Sequence, residues 1–230
     1  MNLNYVTKTE DLVPVRNVLI SVADKTNLEE FIPGLLTLLP KINFYSTGGT
    51  YTRLKTILGR NAATVLHRVS AYTGQPEMQG GLVKTLDFKI YLGLLSESFN
   101  NEHRNDLERT GGITFDMTVV NLYPFAETIA KADASLENAR ANIDIGGPCM
   151  LRASAKNFLR VAPICDPRDY SAVLAELRAT RGCTGLKQRF RLARKAIKHT
   201  ALYDTAIASY LEEIDPEKDL DLYSLSENME

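Results

Sequence analysis

Five short apolar runs alternate with helix-forming segments over the first 180 residues, and this alternation narrows the fold more than any other feature. Residues 17–22 (NVLISV) read as a buried strand. INFYSTGGT holds a second strand ending in a glycine turn, ATVLHRVSAY a third, and FDMTVVNLYPF a fourth that stops at Pro124. RVAPICDPRDY holds the fifth. Between them, Thr26 and Glu29 form a capping box that predicts a helix start, with Pro33 expected to kink or break that helix. Helices are expected over Tyr51–Leu58 and Ser135–Asn142, and KIYLGLLSES is an apolar run that could open another. Asp166 is placed to cap a further helix, with Pro167 at its first position and Asp169 at its third. The longest helix spans residues 186–212, with Leu186, Phe190, Ala193, Ile197, Ala201, Ile207 and Leu211 mostly three or four apart. Strand–helix alternation of this kind predicts an α/β fold, a mainly parallel sheet with helices on both faces in three layers, followed by a long C-terminal helix.

Size and charge exclude several classes. A chain of 230 residues, 44% apolar and 24% charged, suits one soluble α/β domain. We expect that domain over residues 16–212, an N-terminal extension over 1–15 and an acidic tail over 213–230. A net charge of −1 argues against bulk nucleic-acid or membrane-surface binding. No apolar run approaches the ~20 residues of a membrane span, and the N-terminus has no signal-peptide core. The odd cysteine count (Cys149, Cys165, Cys183), without a C-x-x-C, fits a reducing cytoplasm. His67, His103 and His199 do not pair with the cysteines at metal-ligand spacing, so no metal is expected. Residues 178–198 hold eight Lys/Arg and no acid, and residues 212–230 hold eight Asp/Glu and one lysine. A solvated helix face and a frayed tail account for both blocks; a docking surface for a partner or second subunit is the sharper reading.

In open parallel sheets, ligands sit at the carboxyl ends of strands, and the polar clusters of this chain fall there. The first strand is followed by Ser21, Asp24, Lys25 and Thr26, and the second by Ser46, Thr47, Gly48, Gly49 and Thr50. MQGGLVKT adds Gly80, Gly81, Lys84 and Thr85, the fourth strand delivers Asn121 and Tyr123, and DIGG opens a helix at Asp144. A glycine turn between strand and helix lets backbone N–H groups approach a phosphate. The chain lacks the G-x-x-x-x-G-K-[ST] and G-x-G-x-x-G patterns, which argues against ATP or NAD and for one small phosphate. Each element also has a plain structural reading: the glycines as a turn, Lys25 as a solvated cation, Asp144 as an N-cap, Tyr123 as packing. In NIDIGGPCMLRASAKN, Asp144 and Lys156 are twelve residues apart, about 18 Å along an unbroken helix. One ligand touches both only if the helix is interrupted near Gly147-Pro148 or the ligand lies along it. Pro148 in a first turn favours a late helix start.

The motifs SVADKT, STGGT, GQPEMQGGLVKTL, VVNLYPF, IDIGG, LRASAKN and HTALYD occur in an order that resembles the IMP cyclohydrolase domain of the bifunctional purine-biosynthesis family, over roughly residues 16–212. The resemblance implies a methylglyoxal-synthase-like α/β fold and a cytoplasmic enzyme. The reaction it implies is closure of FAICAR (5-formamidoimidazole-4-carboxamide ribotide) to IMP with loss of water, without metal or organic cofactor. It implies Lys84, Tyr123, Asp144 and Lys156 as catalytic residues. Asp144 and Lys156 would orient and polarise the carboxamide, and Lys84 and Tyr123 would handle protons at the formyl oxygen. Ser21, Lys25, Thr47, Gly48, Gly49 and Thr50 would cradle the ribotide phosphate, Val22, Thr85 and Leu86 would also bind the ribotide, and Asn121 and Leu122 would lie on the base side. The N–H groups of Ile145, Gly146 and Gly147 would serve the developing oxyanion. The resemblance further implies a homodimer and a stand-alone cyclohydrolase, with a separate AICAR transformylase as a candidate partner.

Four positions depart from the family: Leu82, Asp87 and Phe88 in one motif, and Asn27, a milder change, where the family tends to have glycine. Where it reads G-G-R-V-K-T-L-H-P, this chain reads GGLVKTLDF, so Leu82 replaces a phosphate-directed arginine and Asp87 a histidine. Losing an arginine–phosphate contact costs about 1.5–3 kcal/mol of binding. Arg53, Arg68 or Lys89 is a candidate to compensate, which the sequence alone does not show. These departures support the alternative reading, a non-catalytic purine-ribotide-binding or regulatory module. A third reading, a small-phosphate lyase, lacks a suitably placed Asp/His pair.

Overall fold

The computed structural model describes residues 5–75, 85–131 and 134–224. Its strands are β1 (Leu12–Pro14), β2 (Asn17–Val22), β3 (Asn43–Ser46), β4 (Leu66–Arg68), β5 (Met117–Asn121), β6 (Ala162–Ile164) and β7 (Cys183–Gly185). The helices up to β5 are α1 (Leu28–Leu38), α2 (Gly48–Leu58), α3 (Ala62–Val65), α4 (Val69–Thr73), α5 (Phe88–Leu95) and α6 (Asn101–Thr110). After it come α7 (Phe125–Ile129), α8 (Leu136–Ala141), α9 (Gly146–Lys156), α10 (Tyr170–Ala179), α11 (Leu186–Glu212) and α12 (Pro216–Asp219). The chain groups into two compact units. One comprises Met1–Leu122 and Asp144–Thr200, the other Tyr123–Ile143 and Ala201–Glu230.

The first unit carries a five-stranded parallel sheet in the order β4-β3-β2-β5-β6. The strands are short and nearly continuous in apolar residues because both faces are covered. Val18, Ile20, Phe44, Met117, Val119, Ala162 and Ile164 are buried in one core with Phe31, Ile32, Leu35 and Val173 from the helices. On one side α1 packs against α2 and α10, and Phe31 stacks on Tyr170 at 4.1 Å between centroids. α9 packs against β5, β6 and α5. The antiparallel pair β1–β7 lies apart from the main sheet, Leu12 opposite Gly185 and Pro14 opposite Cys183.

Chain order reverses between β2, the central strand of the sheet, and β5 beside it. That reversal makes the crevice outside their carboxyl ends the place where an open α/β sheet binds ligands. Register is fixed there by Val22 opposite Asn121 and by Ile20 opposite Ser46.

Four local expectations change. Thr26 does not cap α1: its hydroxyl donates to Asp24 Oδ1 at 2.6 Å, and the N-cap is Asn27 at φ 60° without a side-chain cap. α1 continues through Pro33. α2 starts at Gly48, three residues before the expected Tyr51, because Gly48 takes φ 50° and admits an early turn. The buried stripe at the start of α11 is Gln188, Arg189, Leu192, Ala193, Ala196 and Thr200, while Phe190 and Ile197 are 46% and 45% exposed. The apolar pattern misphased this helix because its inward face holds polar residues, of which Arg189 and Thr200 donate to backbone carbonyls.

In the second unit, Phe125 meets Tyr203 and Tyr210 edge to face at 6.2 and 5.9 Å. Tyr203 donates to the Asn142 carbonyl at 3.3 Å and Tyr223 to Glu137 at 2.7 Å.

Candidate active site at the sheet's carboxyl edge

At the end of β2 the chain leaves through Ser21 and Val22 into a loop fixed by its neighbours. Asn121 Oδ1 accepts from the N–H groups of Ala23 and Asp24 at 2.7 and 2.9 Å, and its Nδ2 donates to the Asp24 carbonyl at 2.8 Å. Its side chain therefore clamps the loop across the switch point. The Thr26 hydroxyl and N–H hold the Asp24 carboxyl below the usual range. Lys25 folds back, its ammonium 3.2 Å from the Ala23 carbonyl and 3.5 Å from that of Val22.

Beside this loop, Ser46 donates to the Ile20 carbonyl at 2.8 Å. The buried Thr50 hydroxyl accepts from Val22 N–H and donates to the Val22 carbonyl, both at 3.1 Å. That hydroxyl locks α2 onto the end of β2, leaving Thr50 its backbone for any ligand. Thr47, the N-cap of α2, makes no side-chain cap. The N–H groups of Gly48, Gly49 and Thr50 fall in the first turn, where the helix supplies no partner and its dipole favours an anion. A Cβ built on Gly49 would meet nothing within 4 Å.

The start of α9 is far tighter. A Cβ on Gly146 would come within 2.5 Å of Thr85 Oγ1, and one on Gly147 within 2.5 Å of Asp144 Oδ2 and 2.6 Å of Leu122 Cδ2. Both glycines are required by close approach. Asp144 Oδ1 accepts from Gly147 N–H at 2.9 Å. That bond takes up one of the three N–H groups assigned to the oxyanion, leaving those of Ile145 and Gly146. Ile145 is 58% exposed.

The helix α9 is unbroken from Gly146 to Lys156, about 15 Å along its axis. Pro148 is buried in its first turn and does not delay its start. It runs back from the carboxyl edge toward β6, and Lys156 is exposed in its last turn. Of the two arrangements open from sequence, a ligand lying along the helix is the one left for joint contact within one chain. Tyr123 is 56% exposed and opens the second unit. Leu86 is half-buried. Lys84 and Leu82 lie outside the described residues.

Several residues near the site are held by defined structural partners. Asp87, a departure from the family, is buried and caps α5, its Oδ1 accepting from Lys89 N–H at 2.8 Å. Arg68, at the end of β4, sits over the Tyr51 ring at 4.0 Å. Arg53 is paired with Glu29. At the end of β6, Asp166 caps the turn before α10, accepting from Arg168 N–H at 2.9 Å, and Lys195 bridges Asp166 and Asp169 at 2.8 and 2.7 Å. Burial pushes the Cys165 thiol up to about 11 and removes it as a nucleophile. Among the described residues no group of three His, Cys, Asp or Glu could hold a metal ion, and no helix is long and apolar enough to cross a membrane. A cavity of about 300 Å³ lies elsewhere, between residues 5–9 and 97–102, and none of the matched site residues lines it.

The five-stranded parallel sheet flanked by helices, with polar groups collected at its switch point, defines a three-layer α/β class. The family model for the MGS-like domain matches residues 27–149, and that for the AICARFT/IMPCHase bienzyme matches residues 154–229. The chain belongs to the MGS-like domain family. It is 45% identical over 203 residues to a bifunctional purine biosynthesis protein PurH of Acidithiobacillus ferrooxidans, covering 88% of this chain and 38% of that protein. It is 46% identical over 197 residues to the PurH of Ruminiclostridium cellulolyticum, covering 86% and 37%. The chain thus spans under two fifths of the length of these relatives. The crystal structure of ForH superposes with a TM-score of 0.69 at 31% identity, covering 84% of this chain and 95% of that one.

Proposed function

We propose that this chain is an IMP cyclohydrolase acting in purine biosynthesis. The observation that carries the reading is the pairing, at one sheet edge, of an open α2 start with an α9 start closed around Asp144. The first suits the ribotide phosphate. The second offers a carboxylate and the Ile145 and Gly146 N–H groups for the base. The carboxamide nitrogen attacks the formyl carbon and a C–N bond forms; the C–O bond then breaks as a C=N bond forms to the former formamide nitrogen, and the oxygen leaves as water carrying one proton from the carboxamide nitrogen and one from the formamide N–H. Asp144 holds the amide N–H and accepts its proton, and backbone donors meet the charge that develops on the formyl oxygen. Holding the two groups in contact supplies much of the rate. Lys84, Tyr123 and Lys156 enter through the matched motifs, the first two as proton carriers at the formyl oxygen and the third, at the far end of the unbroken α9, as a contact to the part of the ligand furthest from Asp144. The same resemblance supports a cytoplasmic homodimer.

The test is IMP formation from FAICAR by the purified chain, against the spontaneous rate. Turnover is expected above background, and Asp144→Asn and Lys156→Ala should each lower it at least tenfold while circular dichroism stays unchanged. Ribotide binding without turnover would support the non-catalytic module.

A further inference from the structure

We propose that Arg68 is the phosphate-directed cation of this site, in place of the arginine that the resembling family carries at the position of Leu82. The inference rests on the ribotide-site reading and adds to it a residue that the motifs do not assign.

Three observations converge on Arg68. In the β3–β4 pairing it lies directly opposite Ser46, the residue that precedes Thr47, Gly48 and Gly49. It therefore ends its strand at the same level at which the anion-binding turn begins. Its guanidinium lies 4.0 Å from the centroid of Tyr51. Tyr51 belongs to α2, and its N–H bonds the Thr47 carbonyl at 3.1 Å, so the ring is carried by the turn that presents the open N–H groups. A guanidinium on an aromatic face keeps its N–H edges in plane and pointing outward, the geometry that grips a phosphate bidentately.

The other cations are placed differently. Arg53 pairs with Glu29 on the surface. Lys25 caps the Val22 and Ala23 carbonyls. Lys89 lies over Tyr72 at 5.8 Å and follows the cap of α5. None of these three is seated on α2's first turns by an aromatic ring. Arg68 is also exposed, so its truncation leaves the core intact.

Calorimetry with IMP and with inosine separates the phosphate from the rest of the ligand. Arg68→Ala should weaken IMP binding about tenfold or more and leave inosine binding unchanged. Adding Leu82→Arg to that variant should restore most of the loss, and Arg53→Ala should bind IMP as the wild type does. Equal IMP affinity in wild type and Arg68→Ala, or equal weakening of IMP and inosine, overturns the assignment to Arg68 alone. A wild-type chain that binds no IMP overturns the ribotide site itself, and this inference with it.

Discussion

At the residue scale, the glycines of the two motifs separate into different physical roles. Gly147 is needed by the fold, because any Cβ there collides with Asp144 and Leu122. Gly49 is not, because its Cβ would stand in open space, and alanine is the better helix former there. Gly49→Ala should therefore keep or slightly raise the melting temperature while weakening IMP binding, since the methyl group occupies the approach to the N–H groups. Gly147→Ala should lower stability by about 2 kcal/mol or more. Thermal melts of the two variants beside IMP calorimetry check this. If Gly49→Ala binds IMP normally, α2 does not hold the phosphate. Asn121 and Thr50 carry the complementary lesson: residues matched to the ligand by motif use their side chains to hold the loop and helix that form the site.

At the element scale, the helix starts record how local chemistry and packing divide the work. The start of α5 is set by Asp87 and that of the turn before α10 by Asp166, both through side-chain oxygens on backbone N–H groups. Asp166 also gives the fold a titratable joint. The Arg168 guanidinium first, and then Lys195, hold its carboxyl well below the usual range against the opposing effect of burial. A carboxyl lowered in the folded state contributes stability above its unfolded value near pH 4, and that contribution is lost as pH falls below it. The urea midpoint should therefore fall between pH 7 and pH 3, and fall less in Asp166→Asn, which keeps a capping oxygen but no charge. Equal falls in both proteins would remove Asp166 from the acid response.

At the scale of the whole molecule, one side chain ties remote segments of the first unit together. Arg189 is fully buried and donates to the carbonyls of Glu10, Asp11, Phe158, Leu159 and Thr184. The N-terminal segment, the turn after α9, β7 and α11 all meet on it. Asp116 and Arg160 make a second buried joint at 3.0 Å, where the Asp116 carboxylate also takes the Arg16 and Asn17 N–H groups, each at 2.9 Å. Arg189→Met should destabilise the protein by about 3 kcal/mol or more, because five carbonyls lose a charged donor. Arg189→Lys should recover only part, since an ammonium lacks the planar fork. Urea unfolding of both variants measures this, and a loss under about 1 kcal/mol in the methionine variant would mean that water replaces the guanidinium.

The sequence by itself determined the layered α/β architecture, the five strands of the parallel sheet and the span of the long helix. These follow from patterns a few residues long: β-branched apolar runs, proline stops and 3.6-residue spacing. It also placed the candidate ligand groups at the strand ends, because a parallel sheet leaves its loops there. Only the tertiary structure decided what those groups do. Thr26 turns to Asp24 in place of its own helix, Asn121 clamps a loop ninety-seven residues distant in sequence, and Arg189 in a basic stretch becomes a fully buried cation. The physical reason is the same in each case. A polar side chain's role depends on which partner lies within about 3 Å, and across long separations in sequence only the packed chain fixes that partner.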